Sequence, residues 1–161
     1  MACPYFMPAE KLENGTWLHA NRLPLGCGWS GRCTAPGHQD ELPSPNELQE
    51  FCNLGYAQAC QRLPQERAWD SVRFGARTSG GGTSGTGRLI QLRYVCERDH
   101  RPAEHGILQF DAAQSRWNQR HHDSRVQRMA ECFLDLYLEK RKRQEVTSSV
   151  AEWTGSPARG T

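Results

Sequence analysis

The chain has few apolar residues and no long apolar run. Hydrophobic residues make up 37% of its 161 positions, below the roughly 45–50% usual for a globular domain even when the different counting of glycine is allowed for. No run approaches the roughly 18–20 apolar residues of a membrane-spanning helix, and the first residues lack the basic start and apolar core of a secretion signal. We therefore expect a cytoplasmic protein with no membrane segment, much of whose chain forms loops.

The chain also lacks a strong excess of charge. It carries 20 basic and 18 acidic side chains, for a net charge of +2, which is too small to indicate nucleic-acid binding by itself. The basic excess lies near the C-terminal end, in Lys140, Arg141, Lys142 and Arg143. Such a cluster either stabilises a helix end through the helix dipole or contacts an acidic protein or a nucleic acid.

Cysteine, by contrast, is abundant. There are seven cysteines, and five of them lie early in the chain: Cys3, Cys27, Cys33, Cys52 and Cys60. Disulfides are rare in a reducing cytosol, so a group of thiols in a cytoplasmic chain points to metal binding or catalysis. Cys96 and Cys132 lie in segments with the pattern of a strand and a helix, where we expect them to be buried as small apolar side chains.

Four of these thiols are predicted to close one metal centre. The early cysteines fall into four groups, and one ligand from each group gives Cys3, Cys33, Cys52 and Cys60. Cys27 or His38 is an alternative to Cys33. Thiolates suit both zinc and iron–sulfur clusters, but no pair of cysteines has the Cys-x2–4-Cys spacing of structural zinc sites. We therefore predict a 4Fe–4S cluster, with zinc as the alternative.

The spacing of the last two ligands requires a bend in the chain. On an unbroken helix Cys52 and Cys60 would lie ~12 Å apart, because a helix rises 1.5 Å per residue. That distance is too long for two ligands of one zinc ion. Gly55 weakens a helix at this point, so the metal-site hypothesis predicts a helix break within residues 53–56.

The predicted fold class is α+β, with an irregular cysteine-rich segment at residues 1–64. Ser44 and Glu47 have capping-box spacing around Pro45, which predicts a short helix, broken later, in this segment. Residues 65–144 are predicted to form one domain with it: a small antiparallel three-stranded sheet covered by a C-terminal helix. The strands follow from apolar alternation over 72–76, 89–96 and 107–110, and the helix from an apolar stripe over 124–144. Residues 145–161 are expected to be a flexible tail.

Two short stretches resemble sequences in uncharacterised bacterial proteins with scattered cysteines. The first is Cys-Pro-Tyr-Phe at residues 3–6, and the second is Cys-Asn-Leu-Gly-Tyr-Ala-Gln-Ala-Cys at residues 52–60. The resemblance implies a bacterial cofactor-binding protein and implies no particular reaction.

Two functions of other classes compete with the cluster hypothesis. One is a zinc-stabilised module that binds nucleic acid or protein through the basic residues 140–143. The other is an enzyme that uses His100, His105 and His121, which requires these side chains to meet in one pocket. No Ser-His-Asp or Cys-His order is specific enough to name a nucleophile, so no catalytic residue is assigned.

Overall fold

In the residues that it describes, the computed structural model of the protein contains two antiparallel sheets and two helices. These residues are 1–12, 17, 23–56, 59–78 and 89–153. The elements are, in chain order, β1 (Phe6–Lys11), β2 (Trp29–Cys33), α1 (Pro45–Glu47), the π-helical turn Leu48–Cys52 that continues it, β3 (Ser71–Thr78), β4 (Leu89–Arg98), β5 (Arg101–Asp111), β6 (Arg116–Gln119) and α2 (Ser124–Trp153). β1 pairs with β2, and the larger sheet has the order β3-β4-β5-β6.

The prediction of a single three-stranded sheet covered by a C-terminal helix is wrong. The larger sheet has four strands, and a second sheet of two strands lies in the segment predicted to be irregular. Sequence patterns miss β6 because it has four residues and no buried side chain. They miss β1 and β2 because Pro8 and Gly31, which pair with each other, are residues that ordinarily interrupt strands.

Strands do form at the three predicted positions, as β3, β4 and β5, and α2 packs against one face of their sheet. Ile90, Leu92 and Leu108 from the sheet meet Ala130 and Leu134 from α2, and all five are buried. Burial of each large side chain contributes about 1.5–3 kcal/mol. The residues in this contact follow the two-residue period of a strand on the sheet side and the 3.6-residue period of a helix on the α2 side.

The last helix ends at Trp153, beyond the predicted end near residue 144. The rest of the predicted tail, 154–161, lies outside the described residues, as does the glycine-rich connection 79–88. Within the described part of the chain, no helix is both long and apolar enough to cross a membrane.

A second cluster of buried side chains joins the two sheets. Phe6 and Trp29 from the small sheet pack with Val72 from β3 and Met129 from α2. Ala2 and Val72 also exchange two backbone hydrogen bonds, of 2.7 and 2.9 Å. The start of the chain is thereby fixed to the edge of the larger sheet, one residue before Cys3.

Candidate metal centre

Four cysteines from four parts of the chain line a single pocket. Cys3 precedes β1, Cys33 ends β2, Cys52 ends the π-helical turn, and Cys60 lies beyond that turn. The pocket has a cavity volume of about 20 Å³ and is partly open to solvent. The other lining residues are mainly apolar: Tyr5, Phe6, Ala35, Pro43, Glu47, Phe51, Arg62 and Leu63. The four lining cysteines are the ligand set predicted from the sequence.

The pairing of β1 with β2 explains why Cys33 is on this pocket. Within β2 the first and last residues, Trp29 and Cys33, are buried. Cys33 pairs with Phe6, and the backbone N–H of Thr34 donates to the Tyr5 carbonyl (2.8 Å). The end of β2 is therefore held beside the residues that follow Cys3.

The two alternatives to Cys33 lie elsewhere. Cys27 packs against the core that α2 helps to form, and a charge on it would raise the pKa of the Cys132 thiol on that helix. His38 is bonded to the carboxylate of Glu41, at 3.1 Å from Nδ1. Neither residue is among those that line the pocket.

The chain turns sharply between Cys52 and Cys60. Gly55 and Tyr56 have φ values of 61° and 51°, in the left-handed region that L side chains rarely adopt. The turn lets the backbone N–H of Cys3 donate to the Cys52 carbonyl (3.1 Å). The helix ends at Cys52, directly before residues 53–56, where the sequence predicts a break.

The buried side chain of Asn53 bonds the π-helical turn, which ends at Cys52, to β2, which ends at Cys33. The Asn53 side chain is 1% exposed. Its Oδ1 accepts from the Trp29 backbone N–H (3.0 Å), and its Nδ2 donates to the carbonyls of Trp29 (3.1 Å) and Leu48 (2.9 Å). One side chain thereby satisfies three backbone groups from β2 and the π-helical turn.

Asn53→Ala is expected to destabilise the protein by about 2–4 kcal/mol, because a buried donor or acceptor without a partner costs about 1–3 kcal/mol. Chemical denaturation followed by circular dichroism measures the loss. Asn46→Ala is the matched control, since Asn46 is exposed on α1. Equal denaturation midpoints for the two variants would show that the three hydrogen bonds contribute nothing.

Burial keeps the thiols of Cys3 and Cys52 protonated in the absence of metal. It raises the pKa of Cys3 to about 12, although N–H groups of Tyr5 and Phe6 that donate to its sulfur reduce the effect. The pKa of Cys52 is also raised, first by burial and then by charges on the other pocket cysteines. Metal binding must therefore displace protons from these sulfurs.

These shifts predict that the metal-free protein loses stability in alkaline solution. Cys3, Cys96 and Cys132 have pKa values near 12 against an ordinary 9.0. Above pH 9 the unfolded chain loses these protons and the folded chain keeps them, so the free energy of unfolding falls as pH rises. We expect urea midpoints that fall between about pH 8 and pH 10, and that fall less in Cys3→Ser. A midpoint that does not change with pH would contradict this.

A single zinc ion and a 4Fe–4S cluster require different distances between their ligand sulfurs. At Zn–S bonds of about 2.3 Å, four tetrahedral thiolates lie about 3.8 Å from one another. Among the described residues, no three cysteine sulfurs come within 4.8 Å of one another. A 4Fe–4S cluster holds its cysteine sulfurs farther apart than a zinc ion does, because eight cluster atoms lie between them. The thiols of the described residues are therefore not gathered as closely as the ligands of a bound zinc ion.

An arginine on the pocket carries an unused donor. Arg62 forms ion pairs with Glu41 (3.5 Å) and Glu47 (3.2 Å) through Nε and Nη2. Its Nη1 is buried and has no hydrogen-bond partner within the described part of the chain. A buried N–H group is rarely left without an acceptor, and thiolate or sulfide sulfur in the pocket would be one.

A second group of potential ligands, Glu104, His121 and His122, is a poorer metal site. Its ligand atoms lie within 4.8 Å of one another. Nδ1 of His121 accepts from the backbone N–H of Asp123 (2.9 Å), which places the ring proton on Nε2, 3.1 Å from Glu104. Both ring nitrogens are thus engaged, whereas a ligating histidine keeps one lone pair for the metal.

The histidines of the enzyme hypothesis occupy different surroundings. His100 stacks on Tyr56, with ring centroids 4.3 Å apart. His105 is exposed on β5, and His121 is buried against Glu104. Within the described ranges, neither His100 nor His105 joins the group around His121.

Two residues of the candidate centre, Arg62 and Asn53, are not among the predicted ones. Arg62 follows Cys60 by two residues and Asn53 follows Cys52 directly, so proximity to a predicted ligand is the signal that could have found them. No family model, no curated protein and no solved structure matches this chain.

Proposed function

We propose that the protein binds a 4Fe–4S cluster through Cys3, Cys33, Cys52 and Cys60 and uses it for one-electron transfer. The observation that carries the proposal is the convergence of these four thiols on one pocket. Thiolates are the preferred ligands of such clusters, and no pair of cysteines in the sequence has the Cys-x2–4-Cys spacing of structural zinc sites.

The ligand set supports electron transfer over substrate chemistry. Four cysteines occupy the one protein-ligand position of each iron, so no iron is left open for a substrate. Cys52 and Cys60 are half-buried whereas Cys3 is buried, which brings one side of the pocket to the surface. An electron can pass to a partner there without movement of the fold.

The backbone around the ligands also supports an anionic cluster. N–H groups of Tyr5 and Phe6 donate to the Cys3 sulfur, and the Ala35 N–H lies 3.5 Å from the Cys33 sulfur. Hydrogen bonds to ligand sulfur help to set the reduction potential of a cluster. The spare donor of Arg62 adds a positive group to the same pocket.

The test is metal analysis of protein purified without oxygen, together with its absorption spectrum. We expect about four irons and four sulfides per chain and a broad band near ~400 nm. The band should bleach with dithionite and return on reoxidation. One zinc per chain without colour, or no metal at all, would refute the cluster. A band that does not respond to dithionite would refute electron transfer and leave a structural cluster.

Arg62→Met is expected to lower the reduction potential of the cluster. Loss of the cation and its donor N–H groups destabilises the more negative, reduced state. A redox titration followed at the visible band measures the shift. Arg32→Met is the control, because Arg32 is half-exposed, pairs with Asp40 and does not line the pocket. If both variants have the same reduction potential, Arg62 does not influence the potential of the cluster.

A further inference from the structure

One face of the larger sheet is left uncovered by α2. The helix packs on the side of Ile90, Leu92 and Leu108, and successive side chains of a strand point to opposite faces. The intervening residues therefore lie on the other side. Strand register arranges ten of them in three rows, Arg73–Val95–His105, Gly75–Arg93–Ile107 and Arg77–Gln91–Gln109–Gln119. We call these ten residues the open sheet face.

The open sheet face is positively charged. Its ten residues include three arginines and neither aspartate nor glutamate. Arg77 and Arg93 are exposed, and the Arg73 side chain is 54% exposed. The next row at each end carries one carboxylate, Glu97 or Asp111, and both are buried. Glu97 pairs with Arg73 (2.9 Å), and Asp111 accepts from the backbone N–H of Ala113 (3.0 Å). The charge of Arg77 and Arg93 suits an anionic partner.

One row of the face carries amide groups in line with an arginine. Arg77, Gln91, Gln109 and Gln119 are neighbours across the four strands. Strands lie about 4.8 Å apart, so the row offers donors and acceptors at regular intervals. Arginine and glutamine are the side chains that most readily bond the edges of guanine and adenine in the major groove. The carboxylate side chains of an acidic peptide accept hydrogen bonds but do not donate them, so they would bond the amide N–H groups and not the amide oxygens.

The face has no aromatic side chain to stack on an unpaired base. The aromatic residues of the sheet pack on the α2 side: Phe74, Tyr94, Phe110 and Trp117. Proteins that bind single strands through a sheet stack bases on aromatic rings. A duplex, whose bases are already stacked, does not need such rings.

We propose that the open sheet face binds duplex DNA. Arg73, Arg77 and Arg93 contact phosphates, and the glutamines of the third row face base edges in a groove. β-strands are an established means of reading DNA grooves. This surface differs from the basic end of α2 at Lys140–Arg143, where Arg143 lies 3.8 Å from Glu139.

The test is fluorescence anisotropy of a labelled 30-base-pair DNA duplex with the full chain, over a series of salt concentrations. Each lost phosphate contact should reduce the slope of log affinity against log salt by about 0.9. Arg77→Gln with Arg93→Gln should therefore reduce the slope by about 1.8 and weaken binding about tenfold at low salt. Lys140→Gln with Lys142→Gln removes the same charge from α2 and should leave the slope unchanged.

Each other result would overturn the proposal. Equal losses in the two double variants would show a general effect of charge. A loss confined to the α2 variant would place binding on the helix end. Tighter binding of a single strand or of polyglutamate than of the duplex would show that the face binds another partner. If the duplex does not bind at all, the proposal is wrong. Circular dichroism of both double variants controls for folding.

Discussion

Replacing Cys3, Cys33, Cys52 or Cys60 singly by alanine is expected to remove most of the bound iron and the absorption near ~400 nm. The reason is that each residue comes from a different part of the chain and lines the same pocket, so no neighbouring thiol can take its place. Iron and sulfide analysis of the four variants, prepared without oxygen, measures the loss.

Cys27→Ala is the control for this series. Cys27 has the same chemistry and lies near Cys33 in sequence, but it packs near α2. We expect this variant to keep its full iron content. If Cys27→Ala loses iron and Cys33→Ala keeps it, the third ligand is Cys27 and not Cys33. Retention of iron in all five variants would refute the site.

Gly55→Ala should destabilise the protein by about 3 kcal/mol or more and reduce its iron content. An L side chain in the left-handed region costs about 1–2 kcal/mol. In addition, a Cβ at this position would lie 2.6 Å from the Met1 carbonyl oxygen and 3.0 Å from that of Ala2. The backbone that carries Cys3 would have to move away from Cys52. Thermal or urea denaturation measures the change in stability.

Gly37→Ala measures the free-energy cost of an L side chain at positive φ without the cost of a steric clash. Gly37 also has a positive φ, of 82°, but a Cβ there meets no atom within 4 Å. We expect a loss of only about 1–2 kcal/mol and an unchanged iron content. If the two alanine variants lose the same stability and both keep their iron, the close approach of Met1 to Gly55 is not required for the site.

The parts of the fold that sequence patterns predict are those with a regular apolar period. β4 alternates buried and partly exposed residues from Leu89 to Leu92, and α2 repeats apolar residues on one side, so both are visible in the sequence. β1 and β2 are stabilised by contacts with residues distant in sequence, such as those of Phe6 and Trp29 with Val72. Such contacts leave no periodic pattern in the local sequence.

The candidate site, like the fold, can be predicted from the sequence only in part. Grouping the cysteines along the chain points to the four that line the pocket, with Cys27 left as an alternative to Cys33, because the chemistry of thiols is specific. The choice between Cys27 and Cys33 depends on which residue ends a strand beside Phe6, and only the pairing of β1 with β2 decides that. The role of Arg62 depends on a buried donor, which is a property of packing.

The backbone bridge between Ala2 and Val72 has a consequence for synthesis of the chain. All four proposed ligand cysteines precede β3 in sequence, so the ribosome releases them before the strand that fixes Ala2. During that interval Cys60 is already present, while the segment that holds Cys3 has no sheet edge to pair with. The β1–β2 pairing and the Cys3–Cys52 hydrogen bond use residues that are already present. The Cys3 end of the proposed centre would therefore be fixed to the larger sheet last, after Val72 emerges.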